Sequence, residues 1–158
     1  MRYAQHTNVS VERSESEIKS MLIRYGASEF ASGWVEGKAM IQFHAYARKV
    51  RFILPLPNLN DDIFKFKSYG GEINRTSPRR ADDAMNKWEQ ACRQRWRALA
   101  LAIKAKLEAV ESGITSFEEE FYAHIVLPGG KTMYQMTGKQ VEIAYQTKKI
   151  PPLLDFKE

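Results

Sequence analysis

The side chains with the most chemical potential in this sequence are its cations. Between Arg75 and Lys106 stand nine basic residues, Arg75, Arg79, Arg80, Lys87, Arg93, Arg95, Arg97, Lys104 and Lys106, against three acidic ones, Asp82, Asp83 and Glu89. This local excess of six is larger than the formal charge of the whole chain, +5. Arg93, Arg97 and Lys104 follow one another at steps of four and seven, so on a helix they share one side and match a row of phosphates. Just upstream, Lys65, Lys67, Arg75, Arg79 and Arg80 are interleaved with Phe64, Phe66 and Tyr69. Cations supply affinity for a polyanion, and exposed aromatic rings stack on unpaired bases. The plainer alternative is a solvated helix face whose long stems shield apolar neighbours.

Other constellations fall short of chemistry. Glu36, Gly37 and Lys38 spell the Glu-x-Lys triplet of metal-dependent nucleases, with Asp61 or Asp62 as the further acid. Such a triplet belongs along a core strand, where alternation aims both side chains at one metal, whereas Gly37 is expected to turn a hairpin. Glu120 and His124 are four apart, a spacing at which one helix presents two ligands, but two ligands do not complete a metal site. The five glutamates Glu108, Glu111, Glu118, Glu119 and Glu120 are instead expected to complement the positive end of a short helix or to contact the basic helix of another copy. Cys92 is the only cysteine, so neither an internal disulfide nor a thiolate cage can form. Gly70 and Gly71 lack the Lys-Ser/Thr that completes a phosphate loop. The expectation is no catalytic residue, no metal and no cofactor.

The elements that must carry these residues are legible from period and punctuation. Ser14 and Glu17 form an S-x-x-E capping box ahead of Ile18, Met21, Leu22 and Tyr25, predicting a helix over 14–25 that stops at Gly26. Strands are predicted at 29–35, 39–45 and 49–54. Ala39, Ile41, Phe43, Ala45, Val50, Phe52 and Leu54 face a core, and Gln42, His44, Lys49 and Arg51 face away. Pro55 and Pro57 end the third strand. Residues 58–77 lose all periodicity and read as a long basic and aromatic loop. Ser77 and Pro78 then start a helix that runs to Ser112, with Met85, Trp88, Cys92, Trp96, Leu99, Ile103, Leu107 and Val110 as its apolar stripe. Over 114–158 a Thr115/Glu118 box, a hairpin of 125–127 with 132–134, and a Thr137/Gln140 box predict a helix-hairpin-helix extension.

Composition frames this as one α+β domain over 1–158. Its order is α-β-β-β-α, with a three-stranded antiparallel sheet packed on one long amphipathic helix. With 44% hydrophobic and 27% charged residues in 158, the chain has the make-up of a folded domain. No apolar run nears the roughly 20 residues of a bilayer span, which predicts no membrane and a cytoplasmic place in a bacterial host. A sequence pI of about 9.3 favours acidic partners without naming them.

The element order resembles that of double-stranded RNA-binding domains, which implies a grip on a duplex through helix one, a loop and the start of helix two. Asp82 and Asp83 stand where that family clusters lysines. A second resemblance is carried by Trp88 to Leu99 (WEQACRQRWRAL), by Phe117 to Phe121 (FEEEF) and by His124 to Pro128 (HIVLP). It is to a family of small proteins of phages and other mobile elements, and implies a setting in DNA replication, recombination or the defeat of host defences. The leading expectation is a non-enzymatic module binding nucleic acid or a host nucleoprotein complex through Lys65, Lys67, Arg75, Arg79, Arg80, Lys87, Arg93, Arg97 and Lys104. Behind it stand a protein-binding, anti-CRISPR-like inhibitor of a host nucleic-acid enzyme, and a metal-dependent nuclease.

Overall fold

The structure, a computed structural model, describes residues 4–35 and 37–154. Its elements are α1 (Val11–Arg24), β1 (Glu29–Val35), β2 (Lys38–Ala45), β3 (Arg48–Pro55), α2 (Asp62–Lys65), β4 (Phe66–Tyr69), β5 (Glu72–Pro78), α3 (Ala81–Glu111), α4 (Phe117–Phe121) and α5 (Met133–Thr147). A 3-10 turn, Tyr122–His124, follows α4. The class is α+β: β1-β2-β3 form a three-stranded antiparallel sheet, and α3 is the long helix. Among the described residues no helix is long and apolar enough to cross a membrane.

The strands follow their alternation. In β2, Ala39, Ile41, Phe43 and Ala45 are buried between exposed or half-buried neighbours, and in β3 Val50 and Phe52 are buried. The turn joining β2 and β3 puts Tyr46 and Ala47 at φ 50° and 56°, a left-handed pair that residues with a Cβ adopt at a cost. Tyr46 gains a partner there, its ring stacked on Phe117 at 4.7 Å.

The chain divides into two compact units, one of Met1–Met21, Gly33–Met40 and Ile53–Ala105, the other of Leu22–Ser32, Ile41–Phe52 and Lys106–Glu158. The first buries Ile18, Met21, Ala39, Phe64, Cys92, Trp96, Ala100 and Ile103. The second is centred on Phe121, which meets Phe43 and Phe52 edge-on at 6.0 and 6.2 Å and stacks on Phe117 at 4.6 Å. There Val126 donates its N–H to the Lys49 carbonyl (2.8 Å), covering part of β3's outer edge.

Several expected boundaries move, each for a local reason. Helix α1 starts three residues early because Ser10, not Ser14, is the cap: its Oγ accepts the Arg13 N–H (3.1 Å), and Ser14 lies buried inside the first turns. Residues 58–77 are not a structureless loop. Asp62–Lys65 forms one helical turn, and β4 and β5 pair antiparallel around Gly70 and Gly71, both at positive φ. Ser77 and Pro78 therefore belong to a strand. Pro78 pairs with Phe66, the Arg79 N–H returns to the Lys65 carbonyl (2.7 Å), and α3 begins only after Arg80.

The capping boxes near the C-terminus are Ser116/Glu119 and Thr132/Gln135, not Thr115/Glu118 and Thr137/Gln140. Thr137 instead bonds back to the Met133 carbonyl (2.7 Å) within α5. The expected hairpin shrinks to a single bridge, Val126 with Thr132, because Met133 and Tyr134 are already helical.

Of the expected stripe in α3, Cys92, Trp96, Ile103 and Leu107 are buried, Ala100 takes the buried place expected of the half-buried Leu99, and Met85 at the start is 41% exposed. A helix this long draws its stability from such a buried face rather than from propensity. Trp96 is 6% exposed, so Trp96→Ala is expected to lower unfolding free energy by about 3–5 kcal/mol. Urea denaturation followed by circular dichroism checks this, and a variant as stable as the parent contradicts the burial.

Candidate nucleic-acid interface

The fold separates the nine expected contact residues into those it has already paired and those it leaves. Arg97 donates to the Glu17 carboxylate of α1, with its side chain only 23% exposed. Arg93 is held by Glu89 at 3.7 Å and by the Gln90 side-chain oxygen at 2.8 and 3.0 Å. Both lie beside the buried stripe, where their stems are half-buried, and each end has found an acceptor inside the protein. Lys104, the third member of the row, is exposed and meets no carboxylate within 4 Å among the described residues. The Arg93–Arg97–Lys104 row is therefore not a row of free cations.

Elsewhere the pattern differs. Arg75 pairs with Asp62 (2.6 Å) and Arg80 with Asp82 (3.4 Å), but their side chains are 76% and 82% exposed. Exposed pairs of this kind contribute about 0–1 kcal/mol and exchange readily for another anion. Lys65 and Lys67, at the end of α2 and in β4, are exposed and face no carboxylate among the described residues. Arg79 donates its Nε–H to the Phe66 carbonyl (3.0 Å), pinning it to the foot of the ribbon. Lys87, in the second turn of α3, has its pKa lowered first by burial and then by the charge of Arg79. The charge of Arg79 is thus felt at Lys87, and neither forms an ion pair with a carboxylate among the described residues.

Counting the carboxylates that the fold brings from outside the 75–106 segment changes the charge balance. Asp62 reaches Arg75, Glu17 reaches Arg97, and Glu120 reaches Lys106 at 3.0 Å, so the local excess of six falls by half. Arg95, a further cation of the helix, donates to the Pro55 carbonyl (2.6 Å). What remains is divided between the two ends: Arg79 and Lys87, offset by Asp83, near the start of α3, and Arg95 and Lys104 further along the helix. The ribbon also exposes Tyr69 (61%) on the same face of β4 as Lys67, opposite Asn74 and Glu72. Three residues of β5, Arg75, Thr76 and Ser77, bulge out of the ladder, steadied by the Asn74 side chain accepting the Thr76 N–H (3.0 Å).

The weaker constellations come apart. Glu36 lies outside the described residues; Gly37 sits in a turn at φ +72°, and Asp62 is taken up by Arg75. Glu120 and His124 do not share one α-helix, since α4 ends at Phe121. Glu120 holds Lys106, while His124 stacks on Phe52 at 4.0 Å, with its pKa lowered by burial and by the Lys106 charge. No group of three metal-ligating side chains occurs among the described residues. Comparison with family models, with curated proteins and with solved structures gave no match.

The glutamates of the second unit have a local task that sequence reading missed. The Tyr25 hydroxyl donates to Glu108 (2.9 Å), and hydrogen bonding to Glu111, then desolvation, then the Glu108 bond push its pKa from 10.0 up to about 12. The folded-state value lies above the unfolded one. This interaction is therefore fully present below about pH 10 and is lost as pH rises towards about 12. Melting temperature measured across that window should fall more steeply for the parent than for Tyr25→Phe, and equal slopes would contradict the assignment.

Proposed function

We propose that the protein is a non-enzymatic module that binds nucleic acid, or a complex already bound to nucleic acid, through the β4–β5 ribbon and the first turns of α3. The observation that carries this reading is a ribbon that exposes Lys65, Lys67 and Tyr69, with neither lysine in an ion pair among the described residues. A phosphate there meets exposed cations that can turn to it, and a two-stranded ribbon is a shape that fits a DNA groove. Arg75 and Arg80 join by exchanging exposed carboxylates for phosphates. Binding acts by occupying the polyanion, in the phage or mobile-element setting that the sequence resemblance implies.

A protein-binding inhibitor of a host nucleic-acid enzyme is the second reading. It is favoured by Trp34 and Val35, which stand 81% and 70% exposed in β1. Large apolar side chains at this exposure suit a protein partner better than a phosphate backbone.

Filter binding over a salt series separates the two. Three to five phosphate contacts give a log–log slope of roughly 3–4. Lys65→Gln, Lys67→Gln and Lys87→Gln together should lower it by roughly 2–3 with the melting curve kept. Arg97→Gln should cost about 1–2 kcal/mol of stability and leave the slope unchanged. Loss of slope in Arg97→Gln alone moves the interface back to the helix. Absence of nucleic-acid affinity at low salt leaves the inhibitor reading.

A further inference from the structure

The first unit carries a cleft that the nucleic-acid reading does not use. It has a volume of about 480 Å3 and is lined by Lys38, Pro55, Leu56, Pro57, Leu59 and Trp88. This volume is in the range of clefts that take a small ligand or a few side chains. Its walls are held rigidly. The Leu56 N–H donates to the Gly37 carbonyl (2.8 Å), and the Trp88 indole N–H donates to the Pro57 carbonyl (2.7 Å). Trp88 is thereby fixed with its polar edge satisfied, leaving ring carbon as lining. Prolines at 55 and 57 withhold two N–H groups that would otherwise need partners, which keeps this wall apolar.

The charged residue among those that line the cleft is a cation, and a second cation reaches its edge. Lys38 lines it, and Arg95, whose Nη1 donates to the Pro55 carbonyl (2.6 Å), reaches the same proline. Neither cation meets a carboxylate within 4 Å among the described residues. Two acids of the neighbouring segments are taken up by other cations: Glu89 pairs with Arg93, and Asp62 pairs with Arg75. Along the strands from Lys38 and Pro55, the chain exposes Val35, Met40 and Ile53. An apolar floor, two unneutralised cations and adjacent apolar strand residues are complementary to an acidic segment that carries an apolar anchor.

We propose that this cleft docks an acidic peptide segment of a partner protein, with an aliphatic or aromatic side chain against Trp88, Leu56 and Leu59 and flanking carboxylates on Lys38 and Arg95. The apolar surroundings select a protein segment over a nucleotide, whose base would leave Val35, Met40 and Ile53 uncovered. This inference stands apart from the ribbon: the two surfaces share no residue, and either can fail alone.

The test uses the full chain and three probes: a blocked hexapeptide DELFED, its basic counterpart KKLFKK, and adenosine monophosphate. Nuclear magnetic resonance shifts are followed at the Lys38 and Leu56 amides and the Trp88 indole. The acidic peptide should give saturable shifts at these groups by about 1 mM, and KKLFKK should give none. Lys38→Glu with Arg95→Glu should weaken the acidic peptide at least about tenfold while the remaining spectrum stays that of the folded parent. Equal shifts from both peptides overturn the charge complementarity. Shifts from the nucleotide in place of the peptide, or no shift at the cleft with DELFED at that concentration, overturn the docking site.

Discussion

The molecule depends on withdrawing one stripe of α3 from water. Thirty-one residues of helix are held by Cys92, Trp96, Ala100, Ile103 and Leu107, all nearly inaccessible, while the rest of the helix is polar or half-exposed. Without that burial a helix of this composition would fray in water. The same burial decides the fate of the cations beside it. A guanidinium carried at the edge of a buried stripe is partly desolvated, and a partly desolvated charge must find an acceptor. Arg97 finds Glu17, Arg93 finds Glu89 and Gln90, and Arg95 finds the Pro55 carbonyl. The arginines that make the helix look like a polyanion-binding surface are largely part of what fixes it in place.

This shifts where an interaction can occur. A cation whose side chain is a quarter exposed and bonded to a carboxylate cannot turn to a phosphate without losing a native contact. One that is three-quarters exposed loses almost nothing. Arg75 and Arg80 are of the second kind, and Lys65 and Lys67 have no carboxylate to give up. The ribbon is thus a part of the surface where exposed cations can exchange partners, and the Trp88 cleft is a second region where cations border apolar lining.

The strands β2 and β3 and the helix α3 were legible because their periods are uninterrupted: Ala39 to Ala45 alternate strictly, and Cys92 to Leu107 repeat at three and four. The ribbon was not, because β4 and β5 are short, mostly exposed and broken by a three-residue bulge, so burial imposes no alternation on Lys67, Ser68 and Tyr69. Its one signal was the Gly70–Gly71 pair, a hairpin turn set between two short runs that can extend. The capping boxes misled for a different reason. Ser and Thr three residues before Glu or Gln recur often, and the true caps at Ser10, Ser116 and Thr132 were chosen by where the apolar face begins. Among the candidate site residues, sequence could place Arg93 and Arg97 on one side of a helix but could not show that Glu17 would reach across from α1, since eighty residues separate the partners.

Amide hydrogen exchange with and without a saturating oligonucleotide tests the central claim most directly. On this account, amides from Cys92 to Ile103 exchange only through global unfolding and are unchanged by the oligonucleotide. Those of β4, β5 and the first turns of α3 become slower. Added protection along Arg93 to Lys104, with none in the ribbon, would contradict it and return the arginines of the long helix to the interface.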